Sequence, residues 1–480
     1  MRFSSVIRSA LYISMLLVSI PWIGIVSVRF PVNHISYLLI FSYILLLLKI
    51  NSRAIKTNNG LNFILLTASI LTFLQQIIFL LYFEDYQHLV NFKYHPPNIQ
   101  DVNYALAFLI SSTIVLALSI DKHNDKNQNH SVKIKNKKVD LVLMDFNVWS
   151  FYILFSILLG IYLTFTFSVG VAGVKASGFA WLSKIFSETI CIIFIVYYSY
   201  VSRANLSKTK RSILIVFSVL FIFMTIIQGS RGGIVALLTC LLIVAILKHG
   251  DFIIKKKKLA LFITLLILTL FVIVPVSTAI RSYNISSNQI IGSINDLNFA
   301  PDFQDALFLI QWPSSRYGRF DQLIVICSEP LPNATQEIPL SNIIKSTYNS
   351  LTIGKSEELL KLGNGYPVIY NHFPRNRIHG VEWSLFGVSY FYFKFLGALL
   401  FILFFGILMK KLYSRLLKSD MKSYKFIYFL ILFLISFYGL FTNGLLDSFI
   451  SEIVINFSVI FGVEKVAGLF RKKYRLLKES

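Results

Sequence analysis

Cysteine, acidic residues and charge in general are scarce in this 480-residue chain, and each shortage removes a class of protein. Of the three cysteines, Cys191 and Cys240 fall inside apolar runs and Cys327 lies in a long stretch read as a loop. No CxxC occurs, so neither a disulfide framework nor a zinc site is supported. Charged residues make up 14% of the chain, whereas an average soluble domain carries about a quarter. Walker, HExxH and GxSxG motifs are missing, which leaves soluble nucleotide and protease chemistry without support. No internal repeat of roughly 20–50 residues is present, so the chain is not a solenoid.

Apolar sequence is abundant. Hydrophobic residues make up 55% of the chain and mean hydropathy is +0.67. Twelve runs stand out, at residues 11–28, 35–50, 61–83, 103–120, 149–171, 182–201, 212–228, 230–247, 259–279, 387–409, 426–442 and 446–462. A helix needs about 20 apolar residues to cross a bilayer. The backbone inside hydrocarbon must satisfy its own hydrogen bonds, so these runs read as helices. They lack the two-residue alternation of an outer-membrane barrel. The expected fold is an all-α polytopic membrane protein of about twelve spans.

The net charge of +23 could point to nucleic acid, but its distribution points to a membrane. With the N-terminus inside, 32 of the 46 Lys and Arg fall on the inner loops and tail, as the positive-inside rule expects. Inner segments include "NSRAIKT", "RANLSKTKR", "KHGDFIIKKKK" and "RKKYRLLKES". Both termini are therefore expected in the cytoplasm, and no nucleic acid is expected as a partner. The first run lacks a clear small-x-small cleavage pattern and reads as a retained helix.

Two connections are long. Residues 121–148, rich in Asn, Lys and His, read as a polar cytoplasmic linker. They divide a four-helix part, 1–120, from a central membrane part, 149–279. His95, His123 and His130 have no ligand-like spacing. Residues 280–386 form a large extracytoplasmic loop between helices 9 and 10, read as two to four short helices or membrane-skirting segments. Loops of this length are usually functional. A C-terminal membrane part with a basic tail, 387–480, completes the chain.

The outer face carries candidate anion ligands. "QGSRGGIVALL" places Arg231 between glycines. Ile234 to Leu247 is only 14 residues, about 21 Å of helix, so part of "GSRGG" must lie in the membrane to complete a core of about 30 Å. A cation there needs a cavity or a partner, and the glycines permit a close backbone approach to an anion. Arg281 opens the long loop. Arg316 and Arg319 are three apart in "SSRYGRFD", on one side if helical. "HFPRNRIHGVEW" carries His372, Arg375, Arg377, His379 and Glu382. Arginine forks suit phosphate or diphosphate. His372, His379, Glu382, Asp305 and Asp321 are candidate bases. Within the runs, Glu188 is four residues from Lys184, an ion-pair spacing, and Glu452 follows Asp447 toward a prospective cavity.

"QGSRGGIVALL", the late outer loop and "GVEWSLFGVSYFYFKFLGALLFILFFGIL" at 380–408 resemble the bacterial oligosaccharide repeat-unit polymerases, the O-antigen polymerase or Wzy family. The resemblance covers most of residues 150–465, mainly as architecture. One departure is the small loop "GVKASGFAW" between helices 5 and 6, where a two-loop binding scheme would need more. The resemblance implies a GT-C-like membrane glycosyltransferase of the bacterial inner membrane, working without cofactor or metal. Its implied partner is an oligosaccharide on undecaprenyl diphosphate, within surrounding membrane lipid and alongside a chain-length regulator in some systems. The growing glycan would pass to a sugar hydroxyl of a new lipid-linked unit, and lipid diphosphate would leave.

On that reading Arg231, His379 and Glu382 are the catalytic candidates. Arg231, Arg281, Arg316, Arg319, Arg375 and Arg377 bind diphosphate or glycan, because fixed cations stabilise the charge that develops on the leaving group. The competing expectation is a lipid-linked oligosaccharide flippase. A transporter would place charges deep in several helices and would not need so long an outer loop. A non-catalytic lipid-binding or assembly protein is the third alternative.

Overall fold

The computed structural model describes residues 3–57, 59–82, 97–120, 146–167, 188–198, 207–227, 237, 240–241, 319–328, 334–337, 341, 368–371, 378–380, 384–419, 424–437, 441 and 446–479. The described residues are predominantly helical. In chain order the helices are α1 (Phe3–Trp22), α2 (His34–Thr57), α3 (Gly60–Tyr82), α4 (Ile99–Ile120), α5 (Phe146–Phe167), α6 (Glu188–Val196), α7 (Lys208–Ile227), α8 (Phe320–Cys327), α9 (Leu385–Lys418), α10 (Tyr424–Ile435) and α11 (Leu446–Glu479).

Six of these, α1 to α5 and α9, contain segments long and apolar enough to cross a membrane. Their outward surface is apolar too: Phe151 and Leu396 are each 75% exposed and Phe404 is 68% exposed. Water would not tolerate such a surface over so many helices, whereas lipid tails do. The chain is a helical, multi-pass membrane protein. The runs expected at 230–247 and 259–279 lie outside the described residues, apart from Leu237, Cys240 and Leu241.

The first span is displaced from the expected 11–28. It begins earlier and stops at Trp22, because Gly24 takes φ +82° and closes the helix. The Gly24 amide donates to the Pro21 carbonyl and the Ile25 amide to the Ile20 carbonyl, a Schellman closure that only a residue tolerating positive φ enters at low cost. Hydropathy alone ran past this stop, since Ile25, Val26 and Val28 are apolar but not helical.

α4 sits at the centre, packing on α2, α3, α8 and α9. Among the described residues, its contact with α9 is the most extensive. A Cβ on Gly406 of α9 would fall 1.7 Å from the Ser119 hydroxyl of α4. The two backbones therefore approach as small residues allow in membrane helix pairs. The starts of α2 and α4 are tied by polar caps. The Ser36 amide donates to Asn33 Oδ1 (2.9 Å) and the Ser36 hydroxyl to Asn103 Oδ1 (2.7 Å). The Asp101 amide donates to Asn98 Oδ1 (2.8 Å). These side chains satisfy amides that a helix start leaves open. On the other side of the bundle α5 meets α11, where Trp149 Nε1 donates to Glu464 Oε1 (2.7 Å).

α9 covers the span expected at 387–409 but is sharply kinked. Lys394 has φ 54° and ψ −170°, outside any helix. Phe441 lies 6.0 Å from Phe386 and 6.2 Å from Phe405, ring to ring. The outer two rings are thus at most about 12 Å apart, whereas a straight helix would separate those residues by about 28 Å. Phe393 also comes within 2.8 Å of where a Cβ on Gly397 would stand. Residues 385–393 therefore bend sharply away from the axis of the remainder of α9.

The long loop is expected to hold two to four short helices or membrane-skirting segments, and its described residues add strands to that content. It contributes a three-stranded antiparallel sheet: β1 (Ala334–Glu337), β2 (Val368–Asn371) and β3 (Ile378–Gly380), in the order β1-β2-β3. Each strand spans three or four residues, too few for a two-residue alternation to be legible in sequence. The register shifts between Ala334 and Gln336.

Candidate functional site

The site grows out of an irregularity in α3. Gly60–Ser69 is regular α-helix, capped by the Asn59 side chain accepting from the Leu61 amide (3.2 Å). Ile70–Leu74 is a π turn, and α-helix resumes at Gln75–Tyr82. A π turn bonds each amide one residue further back, and such turns concentrate at functional positions. Here one carbonyl of the turn, Thr72 O, accepts from the Arg319 amide (2.8 Å), far away in sequence. One helical turn on, Gln76 Oε1 accepts from the Phe320 amide (2.6 Å) and the Asp321 amide (3.1 Å).

Those amides open α8. This eight-residue helix, "FDQLIVIC", has every residue buried and packs on α3, α4 and α9. Its length of about 12 Å is too short to cross a bilayer. Asp321 sits in its first turn, the end where a carboxylate is favoured. It stops at Ser328, whose backbone is extended. Pro330, two residues later in the sequence, suits that stop. Cys327, read from sequence as a loop residue, is the buried last residue of this helix.

The depth is informative. Thr72 is about 18 Å along α3, which measures about 34 Å overall. Arg319, 6% exposed, and Asp321, 3% exposed, therefore enter the bundle near the middle of a membrane-length helix. Irregular backbone at such depth survives where it is enclosed by protein or lines a cavity. The carbonyl of Thr72 and the amide oxygen of Gln76 meet that demand for the first residues of α8. Gln322 Oε1 is buried with no hydrogen-bond partner among the described residues, an acceptor open to a donor such as a hydroxyl.

The first segment of α9, before its kink, reaches the same place. Ser384 caps it, its hydroxyl accepting from the Gly387 amide (3.4 Å). Phe386 stacks on Phe73 of the π turn, with centroids 5.3 Å apart and planes 9° apart. Further along, Tyr390 and Phe395 pack around Phe108 of α4, at 5.0 Å and 5.4 Å. Two short helical segments thus converge on one turn of α3.

Of the residues singled out from sequence, Arg319 and Asp321 enter this convergence. Arg319 immediately precedes α8 with φ −131° and ψ 8°. His379 lies in β3, its backbone opposite Tyr370. Arg231, Arg281, Arg316, Arg375, Arg377, Glu382, His372, Asp305, Lys184, His95, His123 and His130 lie outside the described residues. Glu188 opens α6, and Asp447 stands in the first turn of α11. Asn456 donates locally to the Glu452 carbonyl (2.7 Å). Among the described residues no group of three or more His, Cys, Asp or Glu is placed to hold a metal ion.

Gln76 and Thr72 were not singled out from sequence. The available signal was "LTFLQQIIFL", two adjacent amides in the middle of an otherwise apolar run. Polar side chains at that depth are functional or structural by necessity. No family model, curated protein or solved structure matches the chain.

Proposed function

We propose that this protein is a membrane glycosyltransferase that polymerises lipid-linked oligosaccharide repeat units. The growing glycan passes from undecaprenyl diphosphate to a hydroxyl of the next unit, for O-antigen or capsule-type polysaccharide. The observation that supports this reading best is the burial of Arg319, Asp321 and Gln322 at the centre of the helix bundle, delivered by the long loop rather than by a spanning helix. A cation, a carboxylate and an open amide oxygen in one enclosed segment suit an anionic leaving group, an acceptor hydroxyl and a sugar. The reading draws the diphosphate below the interface, where an enclosed arginine supplies the countercharge that lipid cannot. Enclosure also keeps water from competing with the acceptor hydroxyl.

The accompanying architecture is twelve spans with both termini cytoplasmic in a bacterial inner membrane, in a GT-C-like arrangement. The long loop and Arg231 face outward on this scheme. Arg231, Arg281, Arg316, Arg319, Arg375 and Arg377 hold diphosphate and glycan, and His379 and Glu382 are the base candidates.

The test is purified protein with lipid-linked repeat units. A ladder of products supports polymerisation, and unchanged single units remove it. The discontinuous segments at mid-helix depth favour a second reading, since transporters build substrate sites from interrupted helices. Proteoliposomes that move lipid-linked oligosaccharide between leaflets without elongating it would establish that alternative instead.

A further inference from the structure

We propose that Gln76 is a positioning residue, fixing the start of α8 so that the Arg319 side chain is held at one depth for the lipid diphosphate. The proposal rests on the polymerase reading above. Its basis is a three-point attachment: Arg319 amide to Thr72 carbonyl (2.8 Å), and Phe320 and Asp321 amides to Gln76 Oε1 (2.6 and 3.1 Å). Both α3 residues are buried, Thr72 at 4% exposure and Gln76 at 0%. All three bonds act on consecutive amides of one short stretch, so they fix its direction as well as its location. The π turn presents the carbonyl, and the amide side chain one turn later supplies the second acceptor.

A helix start that carried a free anion site would leave its amides open to the ligand. Here Gln76 occupies two of them. The helix start is therefore structural, and anion binding falls to the guanidinium that precedes it. Gln76 acts through Arg319 and does not itself touch the substrate.

Three proteins test this: the wild type, Gln76→Leu, which keeps the bulk and loses the acceptor, and Gln76→Glu, which keeps an acceptor for both amides. Two readouts are taken on full-length protein in detergent. The first is maleimide labelling of native Cys327, the buried last residue of α8, located by peptide mass spectrometry. Two buried amides left without an acceptor should raise its labelling rate about tenfold or more in Gln76→Leu. The second is polymerisation of lipid-linked repeat units. There Gln76→Leu should lower kcat by roughly a hundredfold with a smaller change in KM, as expected when a catalytic group is displaced by about 1 Å. Gln76→Glu should stay within about threefold of wild type on both readouts, because burial favours the protonated acid, whose carbonyl oxygen still accepts from both amides. Wild-type labelling in Gln76→Leu overturns the attachment. Fast labelling with normal turnover overturns the positioning role. A wild-type protein that makes no polymer removes the polymerase reading, and with it the positioning role, while the labelling rates still decide whether Gln76 anchors α8.

Discussion

Ser119 of α4 occupies the space in which a side chain on Gly406 of α9 would begin, with its hydroxyl 1.7 Å and its Cβ 2.8 Å from the ideal Cβ position. Neither atom is the flexible end of a long chain, so the helices have no cheap way to yield. Gly406→Ala should separate the pair, at a cost of about 1–3 kcal/mol. Ser119→Gly removes both obstructing atoms and should restore Gly406→Ala to near wild-type stability. Thermal inactivation of detergent-purified single and double variants measures the coupling, and additive losses would contradict this packing.

Lys394 kinks α9 from a backbone region that side chains rarely occupy, with φ 54° and ψ −170°. Holding a non-glycine residue there costs about 1–3 kcal/mol. Lys394→Gly should relieve most of that and slow thermal inactivation. Lys394→Pro, with φ locked negative, should accelerate it. A slower-inactivating proline variant would show that no such kink exists.

Polymer formation should depend on arginines more than on positive charge. Arg231→Ala and Arg319→Ala should abolish polymer at normal protein abundance, while the lysine variants recover only part, because an ammonium cannot make a forked contact. Among alanine variants of Arg281, Arg316, Arg319, Arg377 and His379, at least two should stop at single repeat units. Full-length polymer from all of them would remove the anion-binding role of the loop.

Orientation is open to a direct check. A reporter joined after residue 330 should be exported, whereas reporters at 135 and 475 should stay in the cytoplasm, as the inner-loop excess of Lys and Arg requires. Cytoplasmic activity at 330 would invert the second half of the chain.

The long spans were legible because burial in lipid demands apolar length, and that is written locally. The runs at 61–83 and 103–120 correspond to Gly60–Tyr82 and Ile99–Ile120. What hydropathy does not carry is direction and depth. Residues 385–393 and 395–409 are both apolar, so the kink at Lys394 left no break in the run beyond that one lysine. α8 is apolar at six of its eight positions, in "FDQLIVIC", a pattern shared by any short buried helix. Arg319 and Asp321 were recognisable as chemistry-bearing residues. Their place in the bundle depends on Thr72 and Gln76, partners more than two hundred positions away, and local patterns do not encode such pairings.

The π turn at Ile70–Leu74 also acts as a phase adjuster for α3. Each residue advances an α-helix by about 100°, so one residue accommodated in a widened turn resets the facing of everything after it. Gly60–Ser69 and Gln75–Tyr82 can therefore each meet different neighbours, with Leu61 and Leu65 buried on one side of the irregularity and Gln76 and Leu80 on the other. Deleting a single residue within 70–74 would leave composition, apolar length and membrane insertion almost untouched. It would nevertheless close the π turn to an α turn and withdraw the Thr72 carbonyl that accepts from the Arg319 amide. The chain thus contains a place where a change invisible to hydropathy disconnects the loop from the bundle.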